Sequence, residues 1–115
     1  MAKIDCELRG DFFSVLQDLD NAVRGGSISA TYEDGGDANI DGVYCATRVY
    51  ERYSWLGGNR VSLSITLVGN RNGRLHLTAV TSGGSQAMFF KINTFGEAAF
   101  LDTIQQTVNR YRVTY

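Results

Sequence analysis

Residues 60–68, RVSLSITLV, alternate without a break, with Val61, Leu63, Ile65 and Leu67 against Ser62, Ser64 and Thr66. Successive strand side chains point to opposite faces, so this stretch requires a sheet with one apolar and one wetted face. RLHLTAVTS repeats the pattern, setting Leu75, Leu77 and Ala79 against His76, Thr78 and Val80. AKIDCEL does so again, with Ile4, Cys6 and Leu8 against Lys3, Asp5 and Glu7, and SISATYE groups Ile28, Ala30 and Tyr32. The apolar face of such a sheet must be covered.

Two segments change period and supply the cover. In DFFSVLQDLDNAVRGG, Phe12, Leu16, Leu19 and Val23 make one helical stripe, widened by Phe13 and Val15. Asp11 is the N-cap, and Gly25-Gly26 end the helix. In NTFGEAAFLDTIQQTVNRYR, Thr94 and Glu97 form a capping box, and Leu101, Ile104, Val108 and Tyr111 form the stripe of one long helix. AMFFKI, just before it, reads as a short additional strand.

VYCATRVYERY is a long strand with two unlike faces. Cys45, Thr47 and Val49 are small or β-branched, whereas Tyr44, Arg48, Tyr50 and Arg52 are large and polar-tipped. Placing the small face inward leaves Tyr44, Arg48, Tyr50 and Arg52 outside with His76. Register supports this choice. An Asn72-Gly73 hairpin would set Leu67 opposite Thr78, and a one-residue slip reverses every side chain, so that turn is rejected. A loop centred on Arg71 pairs Leu67 with Leu75 and Ile65 with Leu77. The same reasoning at WLGGN places Val49 beside Ile65. The outer rows then read Arg48–Thr66–His76 and Tyr50–Ser64–Thr78.

The expected fold is an α+β two-layer sandwich. An antiparallel sheet of about five strands is covered on one face by an N-terminal and a long C-terminal helix, in β-α-β4-α order. A chain of 115 residues holds one such domain, spanning 1–115. This order resembles TATA-binding-protein-like and helix-grip folds, a likeness of layout that implies no activity. The whole chain, and SGGSQAMFFKINTFGE above all, resembles a family of small uncharacterised bacterial proteins. That resemblance implies a bacterial, intracellular setting and no reaction or site residues.

No stretch reaches the roughly 18 apolar residues of a membrane span. MAKIDCELRG carries acids where a signal peptide is apolar, and the cysteines, Cys6 and Cys45, are too few for a disulfide framework. A cytoplasmic location is the expectation. Residues 1–41 hold nine acids and three bases, and residues 42–115 hold eight bases and three acids. The halves nearly cancel, which disfavours nucleic acid as a partner and suits self-association or a protein partner.

DANIDG, residues 37–42, matches the start of a calcium loop, with Asp37, Asn39 and Asp41 as oxygen donors. The twelfth position is Arg48, a cation where the site needs a bidentate acid. The flanks are strands, so EDGGDANIDG reads as a connecting loop with at most weak cation affinity. SGGSQ lacks the helix start that a phosphate cradle needs. Both cysteines fall on the apolar face and His76 on the other, which separates the soft ligands. No catalytic constellation and no cofactor emerge, and the reading leans away from an enzyme.

The leading functional expectation is therefore a non-enzymatic binding or interaction module. It would be homodimeric through a face of Tyr44, Arg48, Tyr50, Arg52 and His76, since Tyr and Arg favour interfaces. One alternative is a small hydrophobic-ligand carrier with a pocket lined by Leu63, Ile65, Leu77, Leu101, Ile104 and Tyr111. Another is single-stranded nucleic acid stacked on the tyrosine rings.

Overall fold

The computed structural model describes residues 1–26, 29–54, 59–83 and 97–113, with backbone alone at 54 and 59. Ile28, AMFFKI, Thr94 of the capping box and most of WLGGN and SGGSQ lie outside these residues. The elements are β1 (Ala2–Asp11), α1 (Phe12–Gly26), β2 (Thr31–Ile40), β3 (Val43–Ser54), β4 (Asn59–Gly69), β5 (Asn72–Gly83) and α2 (Gln105–Tyr111). A further helical stretch, 97–102, precedes α2. The five strands form one antiparallel sheet in the order β1-β5-β4-β3-β2. With the helices on one face, this is the expected α+β layout.

Alternation places Leu63, Ile65, Leu67, Leu75 and Leu77 under the helices, each 2% exposed or less. From α1 come Phe12, Val15, Leu19 and Val23, and from the C-terminal stretch 97–111 Phe100, Ile104 and Val108, equally buried. Burying one such side chain contributes roughly 1.5–3 kcal/mol relative to leaving it in water, so this cluster holds the layers together. The Asp11 carboxylate accepts from the Ser14 amide and hydroxyl, both at 3.0 Å, the capping role its position predicts.

The long C-terminal helix is interrupted. Residues 103–104 form a turn where the Thr103 hydroxyl donates back to the Phe100 carbonyl at 2.7 Å and Ile104 N–H bonds Leu101 at 3.2 Å. Threonine back-bonding competes with the helical ladder, which explains the break. The stripe survives, because Leu101, Ile104 and Val108 all stay buried. Gly26 closes α1 against this break. A Cβ there would lie 2.9 Å from Thr103 Cβ, so no larger residue fits.

The expected loop 33–42 is mostly strand. β2 runs to Ile40, and only Asp41 and Gly42 turn the chain, with φ of 53° and 85°. Positive φ at both central residues is the geometry that Asp-Gly hairpins adopt.

Register decides the remaining differences. Between β4 and β5, Leu67 pairs with Leu77 and Ile65 with Ala79, two residues from the expected pairing. A shift of two keeps every side chain on its expected face. Between β3 and β4 the slip is one: Arg48 pairs with Ile65 and Tyr50 with Leu63. Every β3 side chain is thereby reversed. Tyr44, Ala46, Arg48, Tyr50 and Arg52 face the helices, and Cys45, Thr47 and Val49 face away. The cause is the tyrosine ring. Burying it removes more apolar surface than Cys, Thr or Val offers, provided its hydroxyl finds a partner.

Candidate functional site

Tyr50 is 1% exposed and its hydroxyl donates to Asp20 of α1 at 2.6 Å. The same carboxylate accepts from Arg24 Nε at 3.0 and 2.9 Å, an i,i+4 pair on the helix surface. Burial, and then the bond to Asp20, push the Tyr50 phenol well above its ordinary range. Arg24 in turn lies 5.5 Å above the Tyr32 ring, and Tyr32 meets Tyr50 edge-on at 5.8 Å. Helix α1 and the β2–β3 ribbon are tied together at this end by rings, a carboxylate and a guanidinium.

Beside this tie is a cleft of about 360 Å³ lined by Phe13, Leu16, Gln17, Asp20, Arg24, Tyr32, Asp37 and Arg48. That volume lies at the small end of ordinary ligand sites. Arg48 contributes from the floor with its side chain 21% exposed, whereas its partner Asp37 is 62% exposed at the rim. Nη1 donates to Asp37 Oδ1 at 2.6 Å and to the Thr47 carbonyl at 2.9 Å, and Nη2 to Asp37 Oδ2 at 3.3 Å. The bond from Arg48 holds the Asp37 carboxyl below its usual range, and Asp37 raises Arg48 reciprocally. Phe13, 43% exposed, packs edge-on against Tyr44 at 5.2 Å and carries Arg71 at 5.2 Å from its ring.

The two cations and two acids of the cleft are paired, Arg24 with Asp20 and Arg48 with Asp37, so its formal charge balances. Its hydrogen-bonding capacity does not. A guanidinium has five N–H groups, and the three bonds of Arg48 leave two without a partner among the described residues. Arg24, which also lines the cleft, engages Asp20 through Nε alone. The cleft therefore presents donors above an apolar wall of Phe13 and Leu16. It suits an oxygen-bearing group attached to an apolar or aromatic body.

The expected outer face of Tyr44, Arg48, Tyr50, Arg52 and His76 does not exist as one surface. The first four are on the helix side, with Arg52 stacked 4.8 Å from the Phe100 ring, and only His76 is outside. The middle of the outer face over β3, β4 and β5 carries Thr47, Val49, Ser64, Thr66, Thr78 and Val80, with the Arg60–Glu51 and Arg74–Glu7 ion pairs to either side. There His76 Nε2 lies 2.5 Å from Asp5 Oδ1, which Thr78 also reaches at 3.1 Å. The bond to His76 lowers the Asp5 carboxyl.

Cys45 shares this face rather than the apolar one, in the row Cys45–Val68–His76. It stands two strands from His76, about 9–10 Å by ordinary strand spacing. Cys6 is on the other face against the core. Among the described residues no group of three or more His, Cys, Asp and Glu could hold a metal ion. Of the calcium-like motif, Asp37 bonds Arg48, the Asn39 side chain accepts from the Gly42 amide at 3.2 Å, and Asp41 forms the hairpin turn.

The carrier residues Leu63, Ile65, Leu77, Leu101 and Ile104 belong to the buried core cluster, and Tyr111 packs against it with its hydroxyl donating to Asp18. The cleft lies elsewhere, at the β2 side of α1. Sequence reasoning missed Phe13, Asp20, Arg24 and Tyr32 as a group. The signal available for Asp37 and Arg48 is the Asp41-Gly42 dipeptide. A two-residue hairpin there sets Asp37 opposite Ala46 and makes Arg48 its diagonal neighbour on the same face.

A small two-layer α+β protein with an Arg-floored cleft at one end is the class these features define. The chain belongs to the family of unknown function DUF6054, whose model matches residues 1–112. No curated protein matches it. Among solved structures it is similar to TTHA0849 from Thermus thermophilus, at 9% identity over 95% of this chain and 97% of that one, with a TM-score of 0.29. Among the described residues no helix is long and apolar enough to cross a membrane.

Proposed function

We propose that this chain is a non-enzymatic binding module whose site is the cleft between α1 and the β2–β3 ribbon. Its ligand is a small molecule with an apolar or aromatic body and a carboxylate or comparable oxygen-rich end. The observation that carries this reading is Arg48, a largely covered guanidinium at the cleft floor with donors to spare. A guanidinium fork matches a carboxylate in shape, and shielding from water strengthens that match. Phe13 and Tyr32 supply the ring faces for the body of the ligand.

Titrating ¹⁵N-labelled protein with phenylacetate and with its neutral counterpart phenylacetamide tests the reading. Phenylacetate should shift amides of Phe13, Arg24, Tyr32 and Arg48 at millimolar concentration, and phenylacetamide should do so more weakly. Arg48→Gln should erase the preference while leaving the spectrum folded. Equal responses to both compounds, or shifts confined to residues outside the cleft, would overturn it.

A further inference from the structure

The two edges of the sheet are not alike. Along β1, Arg112 forms a bridge with Leu8, and the Val113 amide donates to the Glu7 carbonyl at 3.0 Å. The chain's own C-terminal segment thus occupies part of that edge. Among the described residues β2 is paired with β3 alone, and all ten of its residues are exposed. Its bulge lies near one end, between Tyr32 and Asp34, and from Asp34 to Ile40 the pairing with β3 runs without interruption. These seven residues turn alternate backbone groups away from the sheet, in position to receive another strand.

Charge selects what that strand is. From Gly25 to Thr47 the chain has four acids, Glu33, Asp34, Asp37 and Asp41, and no lysine or arginine. Asp37 is engaged by Arg48, but Glu33, Asp34 and Asp41 have no basic partner among the ion pairs of the described residues. Antiparallel pairing of β2 with β2 of a second copy would set acids near acids, which is destabilising. Gly35 and Gly36 present no side chain that would hold a partner strand off. We propose that β2 is a strand-addition site for an extended, lysine- or arginine-bearing segment of a partner protein. Backbone bonds would supply the affinity, and the acids the choice of partner.

Asp34 and Asp41 are not among the residues lining the cleft, so this site and the proposed ligand site can fail separately. The probes are blocked eight-residue peptides alternating lysine with threonine or valine, and the same peptides with glutamate replacing lysine. Hydrogen exchange and ¹⁵N spectra of the full chain are the readout. Lysine peptides should slow exchange at alternate amides of 34–40 and bind about tenfold more tightly than glutamate peptides, the scale of two cross-strand charge pairs. Asp34→Lys with Asp41→Lys should reverse the order of the two peptide sets while leaving the response to phenylacetate unchanged. Three results would each overturn the proposal: no protection of β2 by any lysine peptide, equal binding of both sets, or concentration-dependent self-pairing of wild type through β2.

Discussion

The Tyr50 hydroxyl and the Asp20 carboxylate meet at 2.6 Å, joining the middle of β3 to the third turn of α1. The bond satisfies the one polar atom of a ring that is otherwise sealed, and so permits the ring to be inside at all. Tyr50→Phe keeps the packing and removes the bond to a charged acceptor, which should cost about 1–2 kcal/mol. Tyr50→Ala removes the ring as well and should cost about 3–5 kcal/mol. Urea denaturation checks both. Were the ring on the solvent face, both substitutions would fall within about 0.5 kcal/mol of wild type.

Alkaline pH should find the same contact. The folded chain holds the Tyr50 proton that the unfolded chain releases above about pH 10. A group whose folded value is raised contributes stability that is whole below its unfolded value and is lost as pH rises toward the folded one. Stability should therefore decline from about pH 10 upward, and Tyr50→Phe should flatten that decline. The slope left over belongs in part to Tyr111, whose hydroxyl is likewise raised by its bond to Asp18. Denaturation midpoints across this range would contradict the assignment if wild type and Tyr50→Phe fell in parallel.

Gly35 and Gly36 separate backbone crowding from mere composition. A Cβ on Gly35 would overlap the Thr47 carbonyl oxygen and lie 2.8 Å from Tyr32 Oη and 3.2 Å from Arg48 Cδ. A Cβ on Gly36 meets nothing within 4 Å. Gly35→Ala should destabilise by about 1–3 kcal/mol through forced displacement of backbone and ring. Gly36→Ala should stay within about 0.5 kcal/mol. Thermal melts of the two variants decide it, and equal melting temperatures would remove the close approach as an explanation.

Much of this architecture can be read from alternation and period. RVSLSITLV, RLHLTAVTS and AKIDCEL each carry one apolar face, and the structure places those faces as the pattern requires. The α1 stripe and its Asp11 cap are equally legible. β3 is not, because neither of its faces is apolar in the simple sense. The choice falls between small residues with little area and large ones with polar tips. Tyr50 goes inside because Asp20 is waiting on a different element, and Arg52 because Phe100 offers a ring. No local pattern carries that information. The cleft inherits the same difficulty, since its residues come from α1, β2 and β3 and meet only once the register is known.

The reversal of β3 can also be read through its thiol. Cys45 stands on the outer face among Thr47, Val68 and His76, whereas Cys6 packs against the core on the helix side. Burial raises the Cys6 thiol, which lowers the fraction present as thiolate near neutral pH. Only the thiolate attacks a disulfide reagent, so position and proton affinity act in the same direction on Cys6. Native protein treated with Ellman's reagent at pH 8 should show one fast and one slow thiol. Cys45→Ser should abolish the fast phase, and Cys6→Ser the slow one. In denaturant the two thiols should react at nearly the same rate, because the difference resides in the fold. With both cysteines under the helices, as an inward small face of β3 would have them, native protein would show two slow phases and neither single substitution would remove a fast one.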